Sequence, residues 1–276
     1  MEREKLPLKL KVMGHKPYMI ISWNVNVYGI GVHEWLTNYI RVNNPDVIFL
    51  SETKRKAADL EPLFATFIDY NVIMNIHEPP QWHGVVMLIR KDHIYEKLPI
   101  EMNIATRSDS KSGDAATGRI IAISFNGKFY IIGSYTPNAG QEDIIKLTYR
   151  VRTWDPAFMH ILEILRANGP TMWLGDINVA PYDIDVSTPP SMNRWAGCSP
   201  QERSNFRSLM STGNWVDVWR KQNPMGKSYT WTGNTRRPNY GMRLDNIIVS
   251  KNLTTELAFT VPECPISDHI PIGIYV

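Results

Sequence analysis

Apolar runs of strand length punctuate this chain, and most of them end on a polar residue. Residues 18–23, 46–50, 84–89, 119–125 and 129–135 are dominated by β-branched and aromatic side chains, the types that pack on a pleated surface. Asn126-Gly127 between the last two predicts a tight hairpin. Three further runs lie at 171–174, 246–250 and 270–276. Between the strands, apolar positions recur at helical spacing over about 33–42, 143–168 and 200–211. The second helix closes on Asn168-Gly169-Pro170, a stop signal. The third opens on Ser199-Pro200-Gln201-Glu202, an N-cap followed by proline at the first helical position. Many strands are apolar throughout rather than alternating, the pattern of sheets covered on both faces. The expectation is an α/β fold of two packed, mainly antiparallel or mixed β-sheets with helices outside.

The polar residues that close the strands carry the chemistry. Asn24, Glu52, Tyr135 and Asp176 stand at or just past the C-terminal ends of otherwise apolar runs, where loops leave a rigid sheet and ligand sites gather. Taken singly, each has a plain structural reading: a solvated strand-end acid for Glu52, an Asx turn for Asp176 and Asn178, a half-buried phenol for Tyr135. Repetition at four strand ends favours a shared site. A carboxylate such as Glu52 suits a hard cation, since Mg²⁺ takes oxygen ligands. Asn24 and Asn26, two apart, would point to one face if extended, toward phosphate or a metal-bound water. Asp176 and Asn178 would likewise share a side, the first to orient or deprotonate water, the second to hold a phosphoryl oxygen. In Ser267-Asp268-His269-Ile270-Pro271 an imidazole follows a carboxylate. If Asp245 accepts from one ring nitrogen of His269, it fixes the tautomer and favours the charged ring.

Bulk properties narrow the class without deciding it. No apolar run approaches the roughly 20 residues that span a bilayer, and residues 1–16 do not resemble a secretory signal, so no membrane role and an intracellular setting are expected, whether the cytoplasm of a prokaryote or the nucleus of a eukaryote. Cys198 and Cys264 make no metal-type pair. The net charge is +3, and residues 1–16 alone, with Arg3, Lys5, Lys9, Lys11 and Lys16 against Glu2 and Glu4, also carry +3. These residues read as a basic N-terminal tail, expected to be flexible. A formally neutral body that holds several site carboxylates has basic residues elsewhere, which fits a polyanion binder. No linker or repeat divides residues 17–276, whose motifs span the whole segment, so one domain is expected.

Six stretches together carry a resemblance: Ser-Trp-Asn-Val-Asn (22–26), Leu-Ser-Glu-Thr-Lys (50–54), Tyr-Thr-Pro-Asn-Ala-Gly (135–140), Gly-Asp-Ile-Asn-Val-Ala (175–180), Arg-Leu-Asp (243–245) and Ser-Asp-His-Ile-Pro (267–271). The chain resembles the endonuclease/exonuclease/phosphatase superfamily and, within it, exonuclease III-type apurinic/apyrimidinic endonucleases. The resemblance implies a four-layer α/β sandwich and Mg²⁺-dependent cleavage, with Mn²⁺ as a substitute, on the 5′ side of an abasic nucleotide in double-stranded DNA. It implies base excision repair, with 3′–5′ exonuclease activity as a companion, by a monomer. By motif, Glu52 would be a metal ligand, with Asp268 and Asn26 at or near the metal. Asp176 would activate water beside Asn178. His269, supported by Asp245, would stabilise the transition state. Asn24, Tyr135 and Asn138 would bind or organise the scissile phosphate. Lys54, Arg55, Lys56, Arg194, Arg236 and Arg237 would meet backbone phosphates, and Met242 and Trp231 would border the nucleotide.

Three departures from the family pattern bear on specificity. Val27-Tyr28-Gly29 follows Asn26 where the family has glycine directly. Gln141 stands where the vertebrate type has an arginine, and Met242 stands where many members have an aromatic; Trp231 and Tyr240 are the candidate replacements. They keep open a nicking endonuclease with another target, of retroelement type or directed at another lesion. A phosphatase of the same superfamily and a non-enzymatic DNA-binding module are the weaker alternatives.

Overall fold

A computed structural model describes residues 16–77, 83–102, 116–188, 195–233 and 240–276. The basic tail lies outside them, except Lys16. The first two apolar runs form parallel neighbours, β1 (Met19–Asn24) and β2 (Val47–Ser51), joined by helix α1 (Ile30–Asn43). Helix α2 (Ala57–Phe64) leads to the antiparallel pair β3 (Tyr70–Asn75) and β4 (Val85–Arg90). Next come β5 (Tyr95–Leu98), β6 (Ile120–Phe125) and β7 (Phe129–Tyr135). The β6–β7 hairpin closes on Asn126 and Gly127, both at positive φ, with Lys128 N–H donating to Phe125 O at 2.9 Å, as the Asn-Gly pair predicts.

The long helix expected over 143–168 is present from 144 to 168 but is not regular throughout. It runs as α3 (Ile144–Tyr149), a π-helical turn (Arg150–Trp154) and α4 (Asp155–Asn168). Pro156 has no N–H for the i→i−4 bond, and its ring crowds the preceding turn, so the helix widens there instead of continuing regularly. Strand β8 (Thr171–Asp176) follows, then α5 (Pro200–Ser211), whose Ser199–Glu202 capping box matches the sequence signal. The rest is β9 (Trp215–Asp217), the short helix α6 (Val218–Gln222), β10 (Asp245–Ser250), β11 (Leu257–Thr260) and β12 (Ile272–Tyr275).

Among the described residues the strands make two six-stranded sheets, ordered β11-β12-β1-β2-β4-β3 and β5-β6-β7-β8-β10-β9. Each contains one parallel pair, β1 with β2 and β7 with β8; the other pairings are antiparallel. Phe49, Ile131, Met172 and Leu174 belong to one core between the sheets. Trp154, Phe158 and Leu162 pack under the helices on the second sheet, and Leu36, Leu60 and Phe64 under those on the first. The fold is a four-layer α/β sandwich. Phe49 fixes the spacing: a Cβ on Gly133 would lie 2.3 Å from its ring, so only glycine lets the sheets approach so closely. No helix among the described residues is long and apolar enough to cross a membrane.

Candidate active site

The parallel pairs β1–β2 and β7–β8 end at one edge of the sandwich, and the loops that leave them enclose a cavity of about 320 Å³. Asn26, Glu52, Tyr135, Asn138, Asp176, Asn178, Trp231, Met242, Asp268 and His269 line it together. The loop backbone there is unusual: Asn26, Glu52, Lys54 and Asn178 all have positive φ, a conformation that costs non-glycine residues free energy and clusters at functional sites. Asn178 therefore does not continue β8 as an extended residue. It meets Asp176 by turning, its N–H donating to Asp176 Oδ1 at 2.9 Å while its Nδ2 donates to Thr136 O at 2.8 Å.

His269 and Asp245 form the centre of the site. His269 Nδ1 lies 2.7 Å from Asp245 Oδ2, and its Nε2 lies 4.0 Å from Asp176 Oδ2. All three side chains are buried. Burial works against charge on the imidazole, but Asp245 by charge and hydrogen bond, with Asp176 and Asp268, overcomes it and lifts the His269 pKa to about 10. Asp176 moves up as well, to about 7, through burial first and then the repulsion of Asp245 and Glu52, although His269 opposes it. Tyr135 is held as a neutral phenol by burial and by the charge of Glu52. Asp245 Oδ1 is buried with no hydrogen-bond partner among the described residues.

Asn24 lies beneath the cavity rather than on its wall. Its Nδ2 donates to Glu52 Oε1 at 2.8 Å and to Asp176 Oδ2 at 2.9 Å, while its Oδ1 accepts from Asn26 N at 3.0 Å. It thus ties together the ends of β1, β2 and β8. The Lys54 ammonium is paired with Glu52 and donates to Asn26 Oδ1 at 2.8 Å, the place of a cation between two oxygen ligands. Asn138 Nδ2 donates to Asn178 Oδ1 at 3.1 Å. Arg55 is turned aside, its Nε donating to Tyr28 O. Arg194, Arg236 and Arg237 lie outside the described residues.

Two large apolar wall residues were not among the expected site residues. Trp195 and Leu244 complete the apolar end of the cavity with Trp231 and Met242, and the Trp195 and Trp231 rings meet edge-on at 6.1 Å. Tyr240, the other aromatic candidate, is not on the wall. Leu244 was within reach, since it lies between Arg243 and Asp245 in the motif; nothing local marks Trp195. Arg150, in the π-helical turn, is fully enclosed. It donates to the carbonyls of Pro137, Ile177 and Asn178 while paired with Asp155 at 2.6 Å, so one guanidinium straps the loops that carry Asn138 and Asn178. Arg243 anchors the opposite wall through Asp185 and Asp217, each at 2.7 Å.

A four-layer α/β sandwich with a carboxylate-rich cavity at the ends of its two parallel strand pairs defines the class. Residues 21–269 match the Endonuclease/Exonuclease/phosphatase family, and the chain belongs to that family. It is 34% identical over 266 residues to a DNA-(apurinic or apyrimidinic site) endonuclease of Dictyostelium discoideum, covering 93% of this chain and 70% of the relative. An exodeoxyribonuclease of Bacillus subtilis is 27% identical, covering 93% of this chain and 98% of the relative. Among solved structures, an AP endonuclease of Leishmania major superposes with a TM-score of 0.79 at 25% identity, over 94% of this chain and 87% of that one.

Proposed function

We propose that this protein is a metal-dependent DNA repair nuclease that cleaves double-stranded DNA on the 5′ side of abasic nucleotides, with 3′–5′ exonuclease activity as a second use of the same site. One observation carries the reading: a buried His269–Asp245 pair faces Asp176 inside the cavity that also holds Glu52. The apurinic/apyrimidinic endonuclease and exodeoxyribonuclease relatives point the same way.

The residues present fit a divalent cation. Glu52, Asp176 and Asp268 face one cavity, and an ammonium stands in between Glu52 and Asn26. Glu52 and Asn26 would hold Mg²⁺, or Mn²⁺ in its place, with Asp268 close by; these are hard oxygen donors. Bound there, the ion would neutralise charge on the phosphate. Asp176, facing the cavity beside His269, takes the proton of the attacking water. The water oxygen bonds to phosphorus as the P–O bond on the far side breaks. His269, charged through Asp245, faces the negative charge that gathers in the transition state, and the neutral Tyr135 phenol donates to a phosphoryl oxygen. Asn178 is held by Asn138 and Thr136 for the same oxygens. Lys54 would meet backbone phosphates, as would Arg236 and Arg237, whereas Arg55 is committed to Tyr28 O. The enzyme would act as a monomer inside the cell, where buried cysteines such as Cys198 and Cys264 stay reduced.

The test is cleavage of matched duplexes with and without a tetrahydrofuran abasic analogue, in Mg²⁺ and in EDTA. Strong preference for the abasic duplex, lost in EDTA, is the expected result; equal rates on both duplexes refute abasic specificity. Met242 at the niche supports a second reading, a nicking endonuclease with a different target, and equal rates would favour it.

A further inference from the structure

Trp231 belongs to two parts of the site at once. Its ring walls the apolar niche with Trp195, Met242 and Leu244. Its indole Nε1–H donates to Asp268 Oδ2 at 3.0 Å, on the carboxylate side of the same cavity. The backbone gives it little freedom to do one without the other. Trp231 N–H donates to Met242 O at 2.9 Å, and Met242 N–H returns to Trp231 O at 2.8 Å. On its other side Ile270 N–H donates to Thr230 O at 2.8 Å, and Thr232 N–H to Asp268 O at 3.0 Å. Residue 231 is thus the middle rung of a small ladder between the niche segment at 242 and the Asp268-His269 segment. Gly241 lets the outer segments close on it: a Cβ there would fall 1.9 Å from Trp231 O.

We infer that Trp231 is a positioning residue that couples occupation of the niche to the orientation of Asp268. A sugar without its base, seated against the indole, restricts the ring. The restricted ring holds its N–H on Asp268 Oδ2, and the carboxylate is then ordered before a cation arrives. A side chain already ordered costs less entropy to use as a ligand, so two ligands that order the same group bind with positive cooperativity without any large movement. By linkage the effect is reciprocal, and the metal in turn favours the abasic nucleotide. Phenylalanine at this position would give the niche its wall and leave Asp268 without the donor. The coupling therefore depends on the indole nitrogen rather than on aromaticity.

This inference rests on the abasic-endonuclease reading of the site, and the experiment separates the two. Mn²⁺ affinity is measured by electron paramagnetic resonance for the wild-type protein and for Trp231→Phe, each with a noncleavable phosphorothioate abasic duplex and with the matching undamaged duplex. Binding of both duplexes in EDTA is measured alongside. In the wild type the abasic duplex is expected to tighten Mn²⁺ binding by roughly 5-fold or more relative to the undamaged duplex, the lower end of ordinary coupling between sites. In Trp231→Phe that ratio is expected to collapse toward one while abasic binding in EDTA is retained. A ratio preserved in Trp231→Phe, or absent in the wild type, overturns the coupling. Equal binding of the two duplexes in EDTA by the wild type instead sinks the abasic reading. Melting curves establish that the variant is folded. Trp231→Leu, which removes wall and donor together, is expected to lose both the ratio and the abasic preference, and retention of the ratio there also overturns the inference.

Discussion

At the residue scale, two buried groups in contact pull stability in the same direction with pH, through different windows. Asp176 rises from 3.8 to about 7 in the metal-free fold, through burial and the repulsion of Asp245 and Glu52. The fold therefore binds that proton more tightly than the unfolded chain does. Its contribution to stability is full below pH 3.8 and is lost as pH climbs through 7. Asp176→Asn is expected to cut hydrolysis by about 10²–10⁴-fold, the usual worth of general base catalysis. The same variant, in EDTA, is expected to melt higher than wild type above pH 7 and to lose that advantage below pH 3.8; thermal melts across this range check the sign. His269 has the same sign in a higher window. Its pKa rises from 6.5 to about 10, so the stabilisation it draws from Asp245 is present below pH 6.5 and fades as pH passes 10. Asp245→Asn is accordingly expected to lower the melting temperature most below pH 6.5 and least above pH 10.

At the scale of elements, the strands legible in the sequence are those in the middle of the sheets. β1, β2, β4, β6, β7, β8, β10 and β12 are apolar runs, because both of their faces are covered. The four strands that the hydrophobic pattern did not reveal, β3, β5, β9 and β11, are the four sheet edges. Polar side chains break the pattern in β5, Tyr-Glu-Lys-Leu, and in β3, where asparagines flank the apolar residues, while β9 and β11 are only three and four residues long, too short for an apolar run to stand out. The site divides on similar lines. Strand-end residues such as Glu52 and Asp176 were legible because an acid closing a buried run stands out. Trp195 was not, because it reaches the niche from a loop whose path no local pattern specifies. The turn at Asn178 was legible as the Asx-turn reading of Asp176 and Asn178, which the Asn178 N–H to Asp176 Oδ1 bond realises; what the sequence did not show is the Thr136 carbonyl that receives the Asn178 amide. Gly133 is the element-scale test. Gly133→Ala drives a methyl into the Phe49 ring and is expected to cost roughly 1–3 kcal/mol, the usual penalty of overpacking. Urea denaturation with an unchanged m-value checks it.

At the scale of the molecule, the site draws on both halves of the sandwich: Asn24 and Glu52 from one sheet, Asp176 and Asp245 from the other, with Asp268 and His269 on the segment that leads into β12. A cation that binds there binds the assembled fold, and it stabilises that fold by mass action, by about 2.7 kcal/mol at a hundred times its Kd. Adding Mn²⁺ to the EDTA-treated protein is expected to raise its melting temperature. Glu52→Gln is expected to lose most of that rise, and an equal rise in both proteins would remove Glu52 from the ligand set. Lys54 has a consequence for how such a pocket meets its substrate. A basin of carboxylates repels the polyanion it has to grip, and a protein short of divalent ions would ordinarily turn DNA away. The ammonium between Glu52 and Asn26 offsets part of that repulsion. On that argument nucleic acid would settle before the ion, and scarcity of the ion would delay the cut without forfeiting the search.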